Sequence, residues 1–205
     1  LHAEEVDASV RALVEPIEGA SVIVPEPRRH PHHSGGLEPR AVEEVRNWAE
    51  AVTAALEALR EPLAALLSQT REFSADETAT ALELIDEIIA RGTDTTYRAL
   101  VATDEGRWLG YVCYGPTPMT LDTWDLYWIA TAPDTRGKGI GRALHDACLH
   151  QITLAGGRRV RIETSTREGY GATLAFYDRL GYQRVGVIPD FYAPGDDLVT
   201  SVKSF

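Results

Sequence analysis

A run of basic and glycine residues, from Arg136 to Arg142, is the segment of the chain best suited to chemistry. It follows an aromatic, apolar stretch from Trp124 to Ala130 that predicts a strand, and it precedes apolar residues at helical spacing. The first backbone amides of a helix have no intrahelical acceptor and lie at the positive end of the helix dipole, so they attract anions. Glycines let a diphosphate approach those amides, and basic side chains add positive charge. We therefore predict a diphosphate-binding loop.

The predicted loop contains Arg136, Gly137, Lys138, Gly139, Ile140, Gly141 and Arg142. Two better-known glycine motifs do not fit this segment. The dinucleotide pattern G-x-G-x-x-G would require glycine at Arg142 or Leu144. The Walker pattern requires Ser or Thr after Gly-Lys, whereas Gly139 follows the lysine here. What remains is the pattern Arg/Gln-x-x-Gly-x-Gly/Ala, which is met at Arg136, Gly139 and Gly141.

This pattern resembles the acetyl-CoA loop of the GNAT superfamily of N-acetyltransferases. A second block, from Ala175 to Tyr182, resembles the family's other signature, a short helix that bears a tyrosine and ends in Leu-Gly-aromatic. The resemblance spans residues 72–205 and implies an α/β fold with a mixed, mainly antiparallel sheet and helices on both faces. It also implies acetyl-CoA as the acyl donor, with no metal, and backbone contacts from Ile129 and Thr131 to its pantetheine arm.

Hydrophobic periodicity and turn residues predict the elements that position this loop. Ser74 and Glu77 form a capping box at the start of a helix, and Asp104 lies at the turn of a hairpin. The other predicted strands run from 160 to 164, from 183 to 188 and from 198 to 203. Residues 40–68 have a helical apolar stripe that Pro62 should interrupt. We predict residues 1–70 as a helical and irregular N-terminal extension and residues 71–205 as the acetyltransferase domain.

Composition sets further limits. With 205 residues and 44% apolar content, the chain can bury one sizeable core. Its net charge of −11 argues against binding to nucleic acid or to acidic membranes. No charged and apolar signal run precedes the domain, which favours a cytoplasmic protein. Cys113 and Cys148 are predicted to be buried, reduced thiols. The histidine cluster at 30–33 lies in a Pro-rich segment without fixed geometry, so no metal site is predicted.

Transfer of an acetyl group to an amine requires a base, because an amine with a lysine-like pKa near 10 is protonated at neutral pH. Asp125 is the first candidate, since it lies among aromatic residues on the strand before the loop. Glu163, on the next strand, is the second. The alternative for Asp125 is a cap at the strand start or an ion pair with a basic residue, and for Glu163 it is an ordinary ion pair. Tyr177 matches the family tyrosine and is the candidate general acid, with a core aromatic as its alternative.

The segment 189–197 lies between the last two predicted strands and is too aromatic and acidic to be read only as a turn. We predict a loop that closes over the acceptor, in which Asp190, Tyr192 and either Asp196 or Asp197 hold a cationic amine. The alternative is a solvated turn. By the resemblance, Phe73 should also lie near the substrate. One departure from the family is Tyr170, which stands where many members have a cofactor-binding asparagine.

The predicted function is acetyl-CoA-dependent N-acetylation of a primary amine by direct transfer, with a small cationic amine favoured. Two alternatives remain open at this point: transfer to a protein or peptide amine, and a non-catalytic acyl-CoA-binding module. The amphipathic stripe of the extension is compatible with packing on the domain, with an upstream domain, or with a homodimer.

Overall fold

The computed structural model describes residues 21–23, 60–70, 73–91, 95–104 and 107–205. Its helices are residues 60–68 (α1), Ala75–Arg91 (α2), Ile140–Leu154 (α3) and Gly171–Arg179 (α4). Its strands are Ser21–Ile23 (β1), Arg98–Asp104 (β2), Arg107–Pro116 (β3), Thr123–Thr131 (β4), Arg159–Ser165 (β5), Gln183–Ala193 (β6) and Asp196–Ser204 (β7). A short 3₁₀ helix, Pro133–Thr135, lies at the predicted turn after β4.

The strands form one sheet in the order β1-β2-β3-β4-β5-β7-β6. Neighbouring strands are antiparallel except β4 and β5, which are parallel. Helices α3 and α4 pack on one face through side chains such as Leu144 and Tyr177. Helices α1 and α2 pack on the other face through side chains such as Leu67 and Ile85. The predicted α/β fold, with a mixed and mainly antiparallel sheet between helices, is confirmed.

The sheet divides between β4 and β5. These strands pair only from Thr123, opposite Arg159, to Asp125, opposite Arg161. Beyond those three residue pairs β4 continues to Thr131 without pairing to β5, so a cleft opens between the two strands. A shift in the pairing of β3 with β4 leaves Tyr127 without an opposite residue, which is the geometry of a β-bulge. Inside the cleft, backbone groups of both strands are therefore open to a ligand.

The capping box predicted for α2 is present in full. The Ser74 hydroxyl accepts a hydrogen bond from the Glu77 amide at 3.1 Å, and the Glu77 carboxylate accepts one from the Ser74 amide at 2.7 Å. Two amide donors at the helix start are thus satisfied reciprocally. This arrangement fixes the Glu77 side chain at one end of the helix, where it also serves the site described below.

The last hairpin differs from its prediction. Residues 189–193 continue β6 and Asp196 begins β7, so only residues 194 and 195 form the turn. The pairing of β6 with β7 is irregular between Ile188 and Ala193, and Asp190 has a φ of 52°. Pro189 and Asp190 are residue types typical of loops, which is why the sequence predicted a loop here. In the structure, the segment instead pairs with β7 at both of its ends.

The other predicted strands, the hairpin from β2 to β3 and the helix after the glycine loop are confirmed. Cys113 and Cys148 are both buried and free. The sheet and its core draw on residues from both sides of the division predicted near residue 70, because β1 pairs with β2 and Leu63 of α1 is buried. The histidine cluster and residues 40–59 lie outside the described residues. Within the described part, no helix is long and apolar enough to cross a bilayer.

Candidate active site

The loop between β4 and α3 is anchored by the turn that precedes it. The Thr135 hydroxyl donates to the Ala132 carbonyl at 2.7 Å, and the Ala132 amide donates to the Leu109 carbonyl at 2.8 Å. Gly137 and Gly139 then adopt φ values of 77° and 84°, which L-residues with side chains rarely adopt. A Cβ atom at either glycine would meet no atom within 4 Å, so the space in front of the backbone is open.

The loop presents unused donors and positive charge to this space. Within the described part of the chain, five of its backbone amides donate to no protein acceptor: those of Gly137, Gly139, Ile140, Gly141 and Arg142. A cavity of about 350 Å³ lies against them, bordered by the guanidinium groups of Arg136, Arg142 and Arg179. Free amides at a helix start, together with several guanidinium groups, are suited to a diphosphate. The predicted loop thus has the geometry that an anionic cosubstrate needs.

A second, larger cavity of about 780 Å³ occupies the cleft where β4 and β5 separate. It reaches the loop, because Thr131, Arg136 and Gly141 line both cavities. Of the residues predicted for catalysis, substrate binding and pantetheine contact, most line the large cavity: Phe73, Asp125, Ile129, Thr131, Glu163, Tyr177, Tyr192 and Asp196. Among the described residues, no group of three or more His, Cys, Asp or Glu side chains is placed to bind a metal ion.

Asp125 lies at the point where the cleft opens and is paired with Arg161. Its two carboxylate oxygens accept hydrogen bonds from the guanidinium at 2.7 Å and 3.1 Å. The Asp125 side chain is 9% exposed and that of Arg161 is 38% exposed, so the pair is partly buried. The ion pair that the sequence left open as an alternative is present, and it occupies both oxygens of the first candidate base.

Glu163 follows Arg161 on the same face of β5 and is less constrained. Its carboxylate lies 3.5 Å from the Arg161 guanidinium, and its side chain is 43% exposed. That guanidinium already donates two shorter hydrogen bonds to Asp125. Glu163 therefore retains more capacity to accept a hydrogen bond from a bound molecule than Asp125 does.

A polar bridge closes one side of the large cavity by joining α2 to the segment between β5 and α4. The Tyr170 hydroxyl donates to one oxygen of Glu77 at 2.7 Å, and the Arg167 guanidinium donates to the other. Burial alone would raise the pKa of Glu77, but the hydrogen bonds from Ser74, Tyr170 and Arg167 outweigh it and lower that pKa. Tyr170, which departs from the family pattern, thus has a structural partner on another element.

Of the residues predicted to hold a cationic amine, Tyr192 and Asp196 line the cavity, whereas Asp190 and Asp197 do not. Asp190 lies outside the cavity lining, and its carboxylate accepts a hydrogen bond from the Gly195 amide at 2.6 Å. Asp197 accepts from the Asp190 amide at 2.9 Å. Asp196 lines the cavity, but one of its oxygens accepts from the Ser165 hydroxyl at 2.5 Å and from two backbone amides at 3.1 Å. These contacts hold the turn and the adjoining loop together, and amine binding by these carboxylates stays a prediction.

Comparisons with known proteins agree with this geometry. A family model described as an acetyltransferase (GNAT) domain matches residues 95–184. A protein of known structure from Desulfovibrio desulfuricans, assigned to the GNAT acetyltransferases, is 38% identical with a TM-score of 0.69. That match covers 71% of this chain and 91% of the other. The chain belongs to the GNAT family of acetyltransferases.

As a GNAT acetyltransferase, the protein is an acyltransferase that uses acetyl-CoA, and the non-catalytic alternative is set aside. The open loop, its free amides and its guanidinium groups fit the diphosphate of that cosubstrate. Acetyl-CoA supplies the activated acetyl group as a thioester. The protein supplies the groups that bind it, orient the acceptor and move protons.

Two further solved structures share the fold. An aminoglycoside 6'-N-acetyltransferase in complex with coenzyme A is 20% identical, with a TM-score of 0.57 over 72% of this chain and 91% of that one. A ribosomal-protein-alanine N-acetyltransferase from Brucella melitensis is 20% identical, with a TM-score of 0.55 over 75% and 96% of the two chains. At these identities the likeness concerns the fold and not the acceptor. No curated protein matches the chain.

In this GNAT enzyme, Tyr177 lies in α4 and borders the large cavity. Within the described residues, its hydroxyl has no hydrogen-bond partner on the protein, although the residue as a whole is only 5% exposed. Burial, followed by the nearby Cys148 thiol, raises the pKa of Tyr177 above its ordinary value. The phenol therefore stays protonated and can donate a hydrogen bond into the cavity.

Four charged residues that border the GNAT site were not predicted to be functional: Glu77, Arg161, Arg167 and Arg179. Glu77 was visible only as a helix cap, and its contact with Tyr170 spans 93 residues of sequence. Arg161 alternates with buried Val160 and Ile162 on β5, which marks its face but not its partner. Arg179 lies two residues after Tyr177 in the sequence. It borders the site because the end of α4 lies close to the start of α3, and no local sequence pattern shows this.

Proposed function

We propose that the protein transfers an acetyl group from acetyl-CoA directly to a small primary amine, without a covalent enzyme intermediate. The observation that carries this proposal is a single continuous cleft that joins the diphosphate loop to Glu163 and Tyr177. The buried cysteines do not compete as nucleophiles, because burial raises the pKa of Cys113 to about 12 and also raises that of Cys148 well above its ordinary value.

In the proposed arrangement, the free amides of the loop and the nearby guanidinium groups bind the diphosphate of the cosubstrate. The open edge of β4 near Ile129 and Thr131 offers backbone groups to the pantetheine arm, since β4 does not pair with β5 there. The thioester is then directed along the cleft toward the point where the two strands meet.

Glu163 is the proposed base, directly or through one water. It takes one proton from the acceptor ammonium, so that the neutral amine can attack the thioester carbonyl. A C–N bond forms, the C–S bond breaks, and the second amine proton ends on the leaving thiol. Asp125, the first candidate from the sequence, is proposed to position Arg161, because both its oxygens already accept hydrogen bonds from that residue.

Tyr177 is proposed to stabilise the leaving sulfur. A phenol whose pKa is raised by burial is a poorer proton donor than the family match alone suggested, but it remains a hydrogen-bond donor at neutral pH. It would donate this bond to the developing thiolate, and Tyr177→Phe should lower kcat with little change in KM for acetyl-CoA.

Titration calorimetry with acetyl-CoA tests the cofactor half of the proposal. Gly139→Glu, which places a side chain and a negative charge in the loop, should abolish binding. Gly156→Glu is the matched control, because Gly156 has the same φ of 84° and equally open space at the end of α3. Equal binding by both variants would show that the loop does not hold the diphosphate.

Thiol release from acetyl-CoA in the presence of amines tests the transfer. Addition of a primary amine should release the coenzyme A thiol from acetyl-CoA and form an N-acetyl amide that mass spectrometry detects. Glu163→Gln should lower kcat/KM by about 10²–10⁴-fold and remove the limb of the pH profile that reports the base. A protein that binds acetyl-CoA but acetylates no amine, whether small molecule or peptide, would refute the proposed function.

A further inference from the structure

Two pairs of aromatic residues line the large cavity. Phe73 and Trp128 make an edge-to-face pair with centroids 5.1 Å apart, and Tyr97 and Tyr127 make a second pair at 5.3 Å. All four residues line the cavity and are half-buried, so part of each ring faces the open space. The β-bulge at Tyr127 brings neighbouring rings of β4 to the same side of the sheet, where both pack with the α1 and α2 cluster.

The carboxylates of the cavity are mostly engaged. Both oxygens of Asp125 accept from Arg161, and both oxygens of Glu77 accept from Tyr170 and Arg167. Asp196 accepts three hydrogen bonds, one from the last residue of β5 and two from the loop that follows it. Among the described residues that line the cavity, Glu163 is the carboxylate with most capacity left for a ligand, since its contact with Arg161 is a long one of 3.5 Å.

Tyr192 adds a further aromatic side chain to the lining that includes Glu163. It lines the same cavity, and burial, followed by the nearby charges of Glu163 and Asp196, raises its pKa. A cation held by Glu163 would share this cavity with an aromatic side chain, a combination that favours an ammonium group. The cavity lining thus combines one carboxylate suited to a positive charge with rings suited to a flat apolar group.

We infer that the acceptor is a monoamine: a primary ammonium that binds beside Glu163 and Tyr192, attached to an aromatic body that packs against Phe73, Trp128, Tyr97 and Tyr127. This inference rests on the proposed function and specifies its acceptor. A polyamine or an aminoglycoside carries several ammonium groups, and each one without a carboxylate partner would lose its hydration in the cavity. Such molecules fit the charge of the cavity poorly, whatever the substrates of proteins that share the fold.

The test compares acceptors with the full-length protein and saturating acetyl-CoA. 2-Phenylethylamine, butylamine, spermidine, an aminoglycoside and a short peptide with a free N-terminus are assayed for kcat/KM by thiol release. We expect 2-phenylethylamine to exceed each of the others by about tenfold or more, because the ring is buried against aromatic side chains. Calorimetry of 2-phenylethylamine with protein saturated by coenzyme A should show binding without turnover.

Two variants separate the ring contact from general damage. Phe73→Leu keeps an apolar side chain but removes the ring, and it should reduce the preference for 2-phenylethylamine over butylamine by about threefold or more. Phe205→Leu is the matched control, because Phe205 is exposed and lies outside the cavity lining. Tyr97→Leu provides a second test if Phe73→Leu lowers the melting temperature.

The outcomes distinguish the inference from the function on which it rests. Higher efficiency with spermidine, the aminoglycoside or the peptide would overturn the inference while leaving amine acetylation standing. An unchanged preference in both Phe73→Leu and Tyr97→Leu would also overturn it. The absence of acetylation with every amine, despite binding of acetyl-CoA, would refute the proposed function and the inference together.

Discussion

Replacement of Asp125 by asparagine separates a positioning role from a catalytic one. Asparagine keeps the shape of the side chain and one acceptor oxygen, but it removes the negative charge. In the native protein, two charge-assisted hydrogen bonds, at 2.7 Å and 3.1 Å, join Asp125 to Arg161. In Asp125→Asn, one of them is lost and an amide group faces the guanidinium instead.

The cost follows from these contacts. A hydrogen bond to a charged group contributes about 1.5–3 kcal/mol to stability. Because the Arg161 side chain is 38% exposed, water replaces part of the lost interaction, and we expect a value near or below the lower end of that range, about 1–2 kcal/mol. For a chain of this size, each kcal/mol shifts the melting temperature by about 2–4 °C, so Asp125→Asn should melt about 2–8 °C below the native protein.

Kinetics complete the assay. If Asp125 only positions Arg161, kcat/KM should fall less than about tenfold and its pH profile should keep the limb that reports the base. Glu163→Gln should show the opposite pattern, with little change in melting temperature and loss of that limb. The double variant Asp125→Asn/Arg161→Gln should lose less free energy of unfolding than the sum of its two single variants, because both substitutions remove the same contact.

Two results would refute this reasoning. An unchanged melting temperature would mean that the pair contributes nothing measurable to stability. A fall in kcat/KM of about a hundredfold or more, with loss of the pH limb, would identify Asp125 as the base and return the assignment to the choice made from the sequence.

Three further predictions concern other parts of the molecule. Gly157→Ala should destabilise the protein by about 1–3 kcal/mol in urea unfolding, because its Cβ would lie 2.5 Å from Trp124 Nε1, whereas Gly186→Ala, with no atom within 4 Å, should not. Burial lowers the pKa of His145 in the folded protein below the value of about 6.5 expected in the unfolded chain. The stability contributed by the neutral imidazole is therefore present above about pH 6.5 and is lost as the pH falls below that value. The melting temperature should therefore fall between pH 7.5 and 5.5, and fall less in His145→Gln; an equal fall in both proteins would contradict this. Arg179→Gln should raise the Kd of acetyl-CoA about three- to tenfold, less so at high salt, while Arg158→Gln, outside both cavities, should leave it unchanged.

The sequence was sufficient for the parts of the fold that depend on local patterns. The glycine loop, the capping box at Ser74 and the strand-to-helix order all follow from spacing within a few residues, and each is present. The loop is also where local sequence carries chemistry, because backbone amides do the binding and glycine determines where they are accessible.

Side-chain partners across the sheet were beyond such reasoning. The pairing of Asp125 with Arg161 depends on the parallel register of β4 and β5, which no pattern within either strand specifies. The bridge from Glu77 to Tyr170 depends on the distance between α2 and α4 in the folded chain. For this reason the sequence could place a charged residue in the cleft, but it could not show whether that residue has an ion-pair or hydrogen-bond partner.

The last hairpin shows a different limit. Pro189, Gly195 and three aspartates within nine residues have the composition of a loop. The structure nevertheless extends β6 to Ala193, because the Asp190 and Asp197 side chains satisfy backbone amides where the pairing is irregular. Residues chosen as substrate ligands from their charge are thereby occupied in holding the backbone.

The short pairing between β4 and β5 also has a consequence for how the protein resists unfolding. Strands β1 to β4 form one hydrogen-bonded block, and β5, β7 and β6 form another, with three residue pairs joining them. Local opening between such units needs less free energy than global unfolding. A molecule that contacts both sides of the cleft couples the blocks, and at a hundred times its Kd it stabilises the folded state by about 2.7 kcal/mol. When the cosubstrate binds, amide hydrogen exchange on the facing edges of β4 and β5 should therefore slow on both strands together. The bound cosubstrate then belongs to the unit that unfolds cooperatively, and its dissociation uncouples the two blocks again.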